Sequence, residues 1–370
     1  MKAIHISRGP PARARALVRE PRVALLPGRN GMAARSKLDR LVEYARSHHR
    51  ALVLTHDNPD PDSIAAGVGL AHLLRELAGV ETVVAYGGIV GRAENRALLR
   101  TLKLPVVPLG RVVFDDFDLI CMVDTQPEQG NHSLPARHFP DVVIDHHPER
   151  PESKLAPVAD VGGTQGSTST LVVQYFRAAG IDPPPEVATA LFYGIKADTR
   201  DLGRETTEPD VDAYLWLFPM VDKEALAEIE HPRLPAEYFK LMHTAIEKAE
   251  VHDTAVTCDL GRIYWPDIVA EVADRFLALA DVKWSLAWGE YEGSLYYSVR
   301  TRDRRMNAGK LIREIIEEKG GVAGGHGSMA GARLSLRGLT PAARAHLVQE
   351  ITARFLKEFG ARARKPRRLV

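Results

Sequence analysis

Carboxylate and imidazole side chains follow strand-like apolar segments at three points of this chain, and one more carboxylate ends a predicted helix. In chain order these residues are His56, Asp60, Asp62, Asp124, Asp145, His146, His147 and Asp198. Side chains at the carboxyl ends of parallel strands converge on one crevice. Oxygen and imidazole ligands gathered there without a thiolate suit Mn²⁺ or Mg²⁺. The sequence therefore predicts a parallel sheet with a metal site at its carboxyl edge.

The spacing of these residues suits two ions better than one. Two divalent ions about 3.5–4 Å apart can clamp both sides of an in-line displacement at phosphorus. The segment from His56 to Asp62 offers ligands for both ions, and Pro59 and Pro61 stiffen it by fixing φ. Asp124 is the predicted shared ligand, because its strand should lie between the other contributors. A single Asp after a strand is more often a helix cap or a turn residue, so the inference depends on the clusters taken together.

Helical periodicity and apolar runs alternate from about residue 36. Strands are predicted near 51–55, 82–86, 118–123 and 141–145, and helices near 36–49, 62–78, 167–179 and 186–197. Strands separated by helices favour an α/β fold with a mostly parallel, doubly wound sheet.

A smaller mixed α/β unit is predicted after this first one. Its elements are a strand at 253–260, a helix at 267–279, a hairpin at 283–301, a helix at 307–319 and a Gly-rich segment at 320–331. The sequence therefore predicts a flexible basic extension at 1–35, a first domain with the metal site at 36–218, a helical linker at 219–250, a second domain at 251–358 and a basic tail at 359–370.

Composition narrows the class of protein. A length of 370 residues favours two domains. The formal net charge of +1 confines any nucleic-acid contact to a local groove. Cys121 and Cys258 are the only cysteines, which disfavours a disulfide framework and favours the cytoplasm. No apolar stretch reaches the roughly 20 residues that span a bilayer, so no membrane contact is expected.

The motifs resemble those of the DHH phosphoesterase superfamily, which is named for the Asp-His-His seen here at 145–147, and the resemblance covers roughly residues 36–355. This resemblance implies two bound divalent metal ions, with Mn²⁺ expected first and Mg²⁺ or Co²⁺ as alternatives. By resemblance one ion is held by His56, Asp60 and Asp124, and the other by Asp62, Asp124, His146 and Asp198. Among the catalytic residues, Asp145 would orient the neighbouring imidazole and His147 would contact the substrate phosphate.

The Gly-rich segment GGVAGGHGSMAG resembles the Gly-Gly-His signature of the DHH-associated C-terminal domain, which binds substrate across the cleft. Consecutive glycines let a backbone approach an anion closely. Gly324, Gly325 and His326 are therefore candidate substrate-binding residues. Arg300, on a predicted strand, resembles the family's phosphate-binding arginine.

Three departures from the family pattern border this predicted pocket. Ala323 stands where a glycine is usual, and Met329 replaces a small residue. Arg200-Asp201 follows Asp198-Thr199 in place of the more frequent glycine. The length of the substrate and the contacts to its bases are left open by these changes.

Among DHH proteins, the two-domain size and the Gly-Gly-His segment resemble the branch that degrades very short RNA oligonucleotides and, in some members, removes the 3′-phosphate of 3′-phosphoadenosine 5′-phosphate (pAp). A phosphodiesterase for cyclic or linear dinucleotides would share every catalytic residue. A RecJ-type exonuclease is disfavoured because such enzymes usually carry additional domains, for which 370 residues leave little room. An inorganic pyrophosphatase is disfavoured because the C-terminal segment is of the Gly-Gly-His type. A non-catalytic nucleotide sensor is the alternative from another class. Related proteins often pair through the first domain, so a homodimer is expected by analogy.

Overall fold

The computed structural model describes residues 29–303, 305–358 and 366–370. The first part of the chain contains α1 Arg29–Ala45, β1 Arg50–Leu54, α2 Pro61–Ala78, β2 Glu81–Tyr86, α3 Ala93–Thr101, β3 Val106–Pro108, β4 Leu119–Val123, β5 Val142–Asp145, β6 Val158–Val161, α4 Thr168–Ala179 and α5 Pro185–Asp198. Three helices follow, α6 Glu208–Leu217, α7 Lys223–Glu230 and α8 Ala236–Lys248. The last part contains β7 Glu250–His252, β8 Ala255–Arg262, α9 Ile268–Leu277, β9 Trp284–Tyr291, β10 Ser294–Thr301, α10 Ala308–Glu317, β11 Val322–His326, β12 Met329–Ser335, α11 Pro341–Glu358 and β13 Arg367–Arg368.

The first sheet is parallel throughout, with the strand order β3-β2-β1-β4-β5-β6. Its order reverses between β1 and β4, because the chain builds outward from β1 in one direction and from β4 in the other. The predicted α/β class with a mostly parallel sheet is confirmed. In open sheets of this kind, ligands bind in the crevice outside such a reversal point.

Helix α2 begins where the first group of candidate ligands ends. The Asp60 side chain accepts a hydrogen bond from the Ser63 backbone N–H at 3.0 Å, which caps the helix, and Pro61 occupies its first turn. This start places Asp62 in the same turn with 1% of its surface exposed. Local capping chemistry therefore explains why two carboxylates two residues apart lie at one helix end.

Helix α5 packs against α2 and carries Asp198 at its C-terminal end. Gly194 permits this close packing, since a Cβ there would lie 2.4 Å from Ser169 Oγ and 3.2 Å from Asp62 Cα. Because Gly194 lies about one turn before Asp198, the same packing brings Asp198 near the start of α2.

The second sheet is mixed and has seven strands, in the order β11-β12-β10-β9-β8-β7-β13. One apolar cluster joins it to α10 and α11, and another joins it to α8 and α9. This arrangement confirms the predicted mixed α/β unit. The strand expected at 253–260 is observed as β8, Ala255–Arg262, and the turn before it, in which Asp253 has a φ of +54°, connects it to β7.

The two chain ends differ from the sequence expectation. In the basic tail, for which no strand was predicted, Arg367 pairs with Val251 and Arg368 with Glu250 in an antiparallel ladder, and both arginines are exposed. Helix α1 begins at Arg29, inside the extension predicted for residues 1–35, while residues 1–28 lie outside the described residues. Within the described ranges no helix combines the length and apolarity that crossing a bilayer requires.

Candidate metal centre

The candidate ligands meet at the carboxyl edge of the first sheet, where its strand order reverses. His56 follows β1 and Asp124 follows β4, and these two strands are direct neighbours. Asp145 ends β5, the next strand. The folded chain thus brings together side chains that are up to 142 residues apart, from His56 to Asp198.

The first group consists of His56, Asp60 and Asp124, whose ligand atoms all lie within 4.8 Å of one another. His56 Nε2 is 3.7 Å from Asp60 Oδ1 and 3.6 Å from Asp124 Oδ2. Burial on its own would lower the pKa of His56, but the nearby carboxylate of Asp60 raises it to about 9. At neutral pH a proton therefore lies between two carboxylates, a position that a divalent cation can take instead.

The second group consists of Asp62, His146 and Asp198, and their ligand atoms also lie within 4.8 Å of one another. His146 Nε2 is 3.3 Å from Asp198 Oδ2. Burial and the charge of Asp60 raise the pKa of Asp62 to about 6. Burial and the charge of Asp62 likewise raise the pKa of Asp198. A bound cation would relieve the repulsion between these crowded carboxylates.

Asp124 belongs to the first group and also borders the second. Its Oδ2 faces His56 at 3.6 Å, and its Oδ1 lies 3.8 Å from His146 Nε2. Its backbone has a φ of +58°, in the left-handed region that costs a non-glycine residue about 1–3 kcal/mol. Burial and the charges of Asp62 and Asp60 raise its pKa well above the ordinary value. Strain and charge crowding are thus concentrated at the carboxylate that lies between the two groups.

The state of His146 tests whether these residues fit a cation. Its Nδ1 lies 3.3 Å from the Gln165 carbonyl, which can only accept, so this nitrogen carries the proton. Its Nε2 is buried and has no hydrogen-bond partner among the described residues. Burial and the charge of His147 lower the pKa of His146 to about 4, which leaves a neutral ring at pH 7. An imidazole lone pair buried beside carboxylates fits a divalent ion.

Asp145 is wholly buried and positions His147. His147 Nδ1 donates to Asp145 Oδ1 at 2.8 Å, and Gln126 Nε2 donates to Asp145 Oδ2 at 2.8 Å. The orienting role expected of Asp145 thus falls on His147, whereas His146 is held by Gln165. Burial would raise the pKa of Asp145 and lower that of His147, but their mutual hydrogen bond reverses both shifts.

The start of α4 supports the carboxylates and was not anticipated from the sequence. The backbone N–H groups of Thr168 and Ser169 donate to the two oxygens of Asp62 at 2.7 and 2.8 Å. Thr168 Oγ1 donates to Asp124 Oδ1 at 2.7 Å. The run of Ser and Thr at 167–170 indicates a helix cap. This run alone does not indicate that Thr168 and Ser169 bind carboxylates more than 40 residues away in the sequence.

The loop before α4 is fixed by Asp210, a second residue missed from the sequence. Asp210 is fully buried, accepts from the Gly166 N–H at 2.9 Å and from Thr170 Oγ1 at 2.7 Å, and forms a capping box with Thr207. Its pairing joins α6 to the N-terminal end of α4. The N-terminal end of α4 donates hydrogen bonds to Asp62 and Asp124. Asp210 therefore supports these two carboxylates indirectly, by fixing the position of that helix end.

The Gly-rich segment forms the tight hairpin of β11 and β12. Gly325 has a φ of +130°, and a Cβ there would lie 2.4 Å from the Met329 carbonyl oxygen. At Gly324 nothing lies within 4 Å of a built Cβ, so its surface is open. The backbone of His326 pairs with Met329 at the hairpin end. One of the two candidate glycines is therefore required by the hairpin itself.

The hairpin lies next to the candidate metal ligand Asp198. Arg204 Nη2 donates to the Asp198 carbonyl at 2.7 Å, and its Nη1 approaches Met329 Sδ at 3.3 Å. Arg200 Nη2 is 3.7 Å from the same sulfur. These contacts connect the second domain directly to the segment that follows Asp198.

Arg300 lies on β10 with 6% of its surface exposed. Its Nε donates to Asp274 Oδ1 at 2.8 Å, and its Nη1 donates to the carbonyls of Val299 and Ala330. The structure thus places this candidate in a network of protein contacts at the domain boundary.

Comparisons with known proteins agree with this arrangement. Residues 50–195 match the DHH family, N-terminal domain, and residues 253–357 match the DHHA1 domain. An uncharacterized protein of Methanocaldococcus jannaschii is 32% identical over 288 residues, which are 77% of this chain and 58% of that protein. A probable manganese-dependent inorganic pyrophosphatase of Streptococcus suis is 31% identical over 171 residues, which are 44% of this chain and 54% of that protein. The chain therefore spans little more than half the length of these curated relatives.

Among solved structures, an exopolyphosphatase-related protein from Bacteroides fragilis superposes with a TM-score of 0.67, covering 88% of this chain and 97% of that one. At 16% identity this likeness concerns the fold alone. The resemblance inferred from the motifs is confirmed by the two matched domains. The chain belongs to the DHH family, with a DHH N-terminal domain followed by a DHHA1 domain.

Proposed function

We propose that this protein is a two-metal phosphoesterase that hydrolyses the phosphodiester bonds of short RNA oligonucleotides, with the 3′-phosphate of pAp as a further substrate. The observation that carries the proposal is the position of Asp124, whose two oxygens face separate ligand groups. A shared carboxylate between two such groups is the arrangement that a paired-ion centre requires. The pyrophosphatase relative, manganese-dependent by its name, supports Mn²⁺ as the ion.

We assign His56, Asp60 and Asp124 to one ion and Asp62, Asp124, His146 and Asp198 to the other. When bound, the two cations would neutralise charge on the phosphoryl group and lower the pKa of a water molecule. The protein's part is to hold these side chains in place: Thr168 and Ser169 orient Asp62, and Arg204 secures the Asp198 segment.

His147 is assigned to the substrate phosphate. Asp145 keeps a proton on Nδ1 of His147 and raises the pKa of its ring. A protonated ring then offers Nε2–H as a donor to a phosphoryl oxygen. Gly324, Gly325 and His326 are assigned to the substrate on the side of the second domain, because the β11–β12 hairpin lies beside Asp198 through Arg204 and Met329. Arg300 is assigned with them because it lies on β10, the strand paired with β12, opposite Met329.

A comparison of substrates in Mn²⁺ tests this function. We expect a 5′-phosphorylated RNA dinucleotide (pApA) to be hydrolysed with a higher kcat/KM than a 24-nucleotide RNA, a cyclic dinucleotide or inorganic pyrophosphate, with pAp as a slower substrate. Fastest turnover of pyrophosphate, of the cyclic dinucleotide or of the long RNA would contradict the proposal. Tight binding without turnover of any substrate would favour a nucleotide sensor.

Binding of Mn²⁺ should release protons at pH 7. His56, with a pKa raised to about 9, holds a proton at pH 7 that a cation must displace, and Asp62, with a pKa raised to about 6, becomes protonated as the pH falls toward 6. Because raised pKa values mean that protonation competes with the ion, affinity for Mn²⁺ should increase from pH 6 to pH 8, by up to about tenfold per pH unit for each proton displaced. Calorimetric titration in two buffers of different ionisation enthalpy measures this release. Equal binding enthalpies in both buffers would contradict it.

A further inference from the structure

Arginines from both domains converge on the carboxylate of Asp274. Arg300 Nε lies 2.8 Å from Asp274 Oδ1, Arg200 Nη2 lies 3.7 Å from the same oxygen, and Arg92 Nη2 lies 3.4 Å from Oδ2. Asp274 and Arg300 belong to the second domain, whereas Arg92 and Arg200 belong to the first. The cluster therefore spans the boundary between the domains.

Arg200 and Arg300 share one oxygen of this carboxylate, because Arg300 Nε lies 2.8 Å and Arg200 Nη2 lies 3.7 Å from Asp274 Oδ1. Arg92 has further acids nearby, Glu271 and Asp267. The uncompensated positive charge is thus on the Arg200 and Arg300 side of the cluster. Guanidinium groups held this close favour an anion with more charge than one carboxylate.

Arg200 also has an unfavourable backbone for its residue type. Its φ is +48°, in the region that suits glycine, and Asp201 and Leu202 follow at +56° and +61°. Arg200 is about half exposed, with 48% of its side-chain surface accessible, and lies two residues after Asp198. A strained backbone thus places the arginine side chain beside the candidate metal ligand Asp198.

We infer that Arg200 and Arg300 form a second anion site for a terminal phosphate of the substrate, and that Asp274 holds both guanidinium groups until that phosphate displaces it. The inference rests on the proposed function and narrows its substrates to short oligonucleotides with a phosphate monoester at one end. A monoester carries a charge of about −1.5 to −2 at pH 7. It also offers three oxygens to the two guanidinium groups, where a carboxylate offers two.

The Arg200→Gly variant tests this site without a change that burdens the fold, because glycine suits a positive φ. Steady-state kinetics in Mn²⁺ would compare ApA carrying a 5′-phosphate, a 3′-phosphate or neither. We expect KM to rise about tenfold or more for a phosphorylated dinucleotide, as for loss of a hydrogen bond to a charged group. KM for unphosphorylated ApA and kcat for both should stay within about twofold. Thermal unfolding checks that the variant is folded.

Asp201→Gly is the matched control, because it makes the same backbone change at φ +56° and removes no guanidinium group. It should leave the ratio of the KM values unchanged. Asp274→Asn should act in the opposite direction to Arg200→Gly and lower KM for the phosphorylated substrate, since the competing charge is removed. A purely structural Asp274 would instead raise KM for all three substrates.

Equal changes of KM for phosphorylated and unphosphorylated substrates in Arg200→Gly would overturn the inference, and so would no change at all. Equilibrium binding of the three dinucleotides to the wild-type protein and to Arg200→Gly in EDTA separates this result from the proposed function. If the wild-type protein hydrolyses none of them, the proposed function fails, and this binding comparison alone decides whether Arg200 selects a terminal phosphate.

Discussion

Replacing Asp124 by asparagine should lower kcat by more than about 100-fold and leave the fold intact. Loss of a residue that only supports a metal ligand typically costs about 10–100-fold in activity or affinity, and Asp124 itself borders both ligand groups. Asparagine keeps the size of the side chain and an Oδ1 acceptor for Thr168. Because burial and neighbouring acids raise the pKa of Asp124, removing its charge should not lower the thermal unfolding temperature in EDTA.

Asp118→Asn is the control for this variant, because Asp118 flanks the same strand, β4, at its other end. Its carboxylate accepts from the backbone N–H groups of His49 and Arg50 at 2.8 and 2.7 Å, away from the carboxyl edge of the sheet. Turnover of pApA by Asp118→Asn should stay close to the wild-type rate. Comparable losses in both variants would show that the carboxyl edge has no special role, and wild-type rates in Asp124→Asn would end the assignment of a shared ligand.

Asp145→Asn should lower kcat/KM for pApA by about 100-fold, the upper range for loss of a group that orients a functional imidazole. The buried Asp145 carboxylate accepts from His147 Nδ1 and from Gln126. An amide at this position can place an N–H against His147 Nδ1 and so favour the wrong tautomer. Because Asp145 raises the pKa of His147, the alkaline limb of the pH–rate profile should move to lower pH in the variant.

The stability of this variant gives an independent readout. The pKa of Asp145 is lowered in the folded protein, so its contribution to stability is present above the unfolded-state pKa and is lost as the pH falls through the folded-state pKa. The difference in unfolding free energy between wild type and Asp145→Asn should therefore be largest near neutral pH and shrink in acid. Asp160→Asn, which changes another buried carboxylate bound to Tyr175, should lose stability without the shift of the pH–rate profile.

The approach of the candidate ligands to one another could be predicted from the sequence, because these residues follow strands or cap helices. Asp60 is both a candidate ligand and the cap of α2, so local and long-range signals coincide there. Strand β6 was not predicted, because Asp160 interrupts its apolar pattern. The buried Asp160 carboxylate accepts hydrogen bonds from Tyr175 and Lys37, which lie far away in the sequence. Helix α3 was missed because Arg92 at its start makes no side-chain capping bond.

Residues that act only through distant partners could not be found from local patterns. Asp210 resembles an ordinary helix-start residue, and its contact with Gly166 exists only once α6 packs near α4. Arg204 carries no motif, and its bond to Asp198 depends on the left-handed backbone of the intervening loop. The C-terminal strand β13 is two residues long, so its pairing with β7 follows from tertiary contact alone.

Diffraction at the manganese absorption edge, from crystals grown with Mn²⁺, tests the paired-ion centre most directly. We expect two anomalous peaks about 3.5–4 Å apart. One should lie against His56 and Asp60, the other against Asp62, His146 and Asp198, with Asp124 between them. No peak among these side chains, or a single peak that does not contact Asp124, would contradict it.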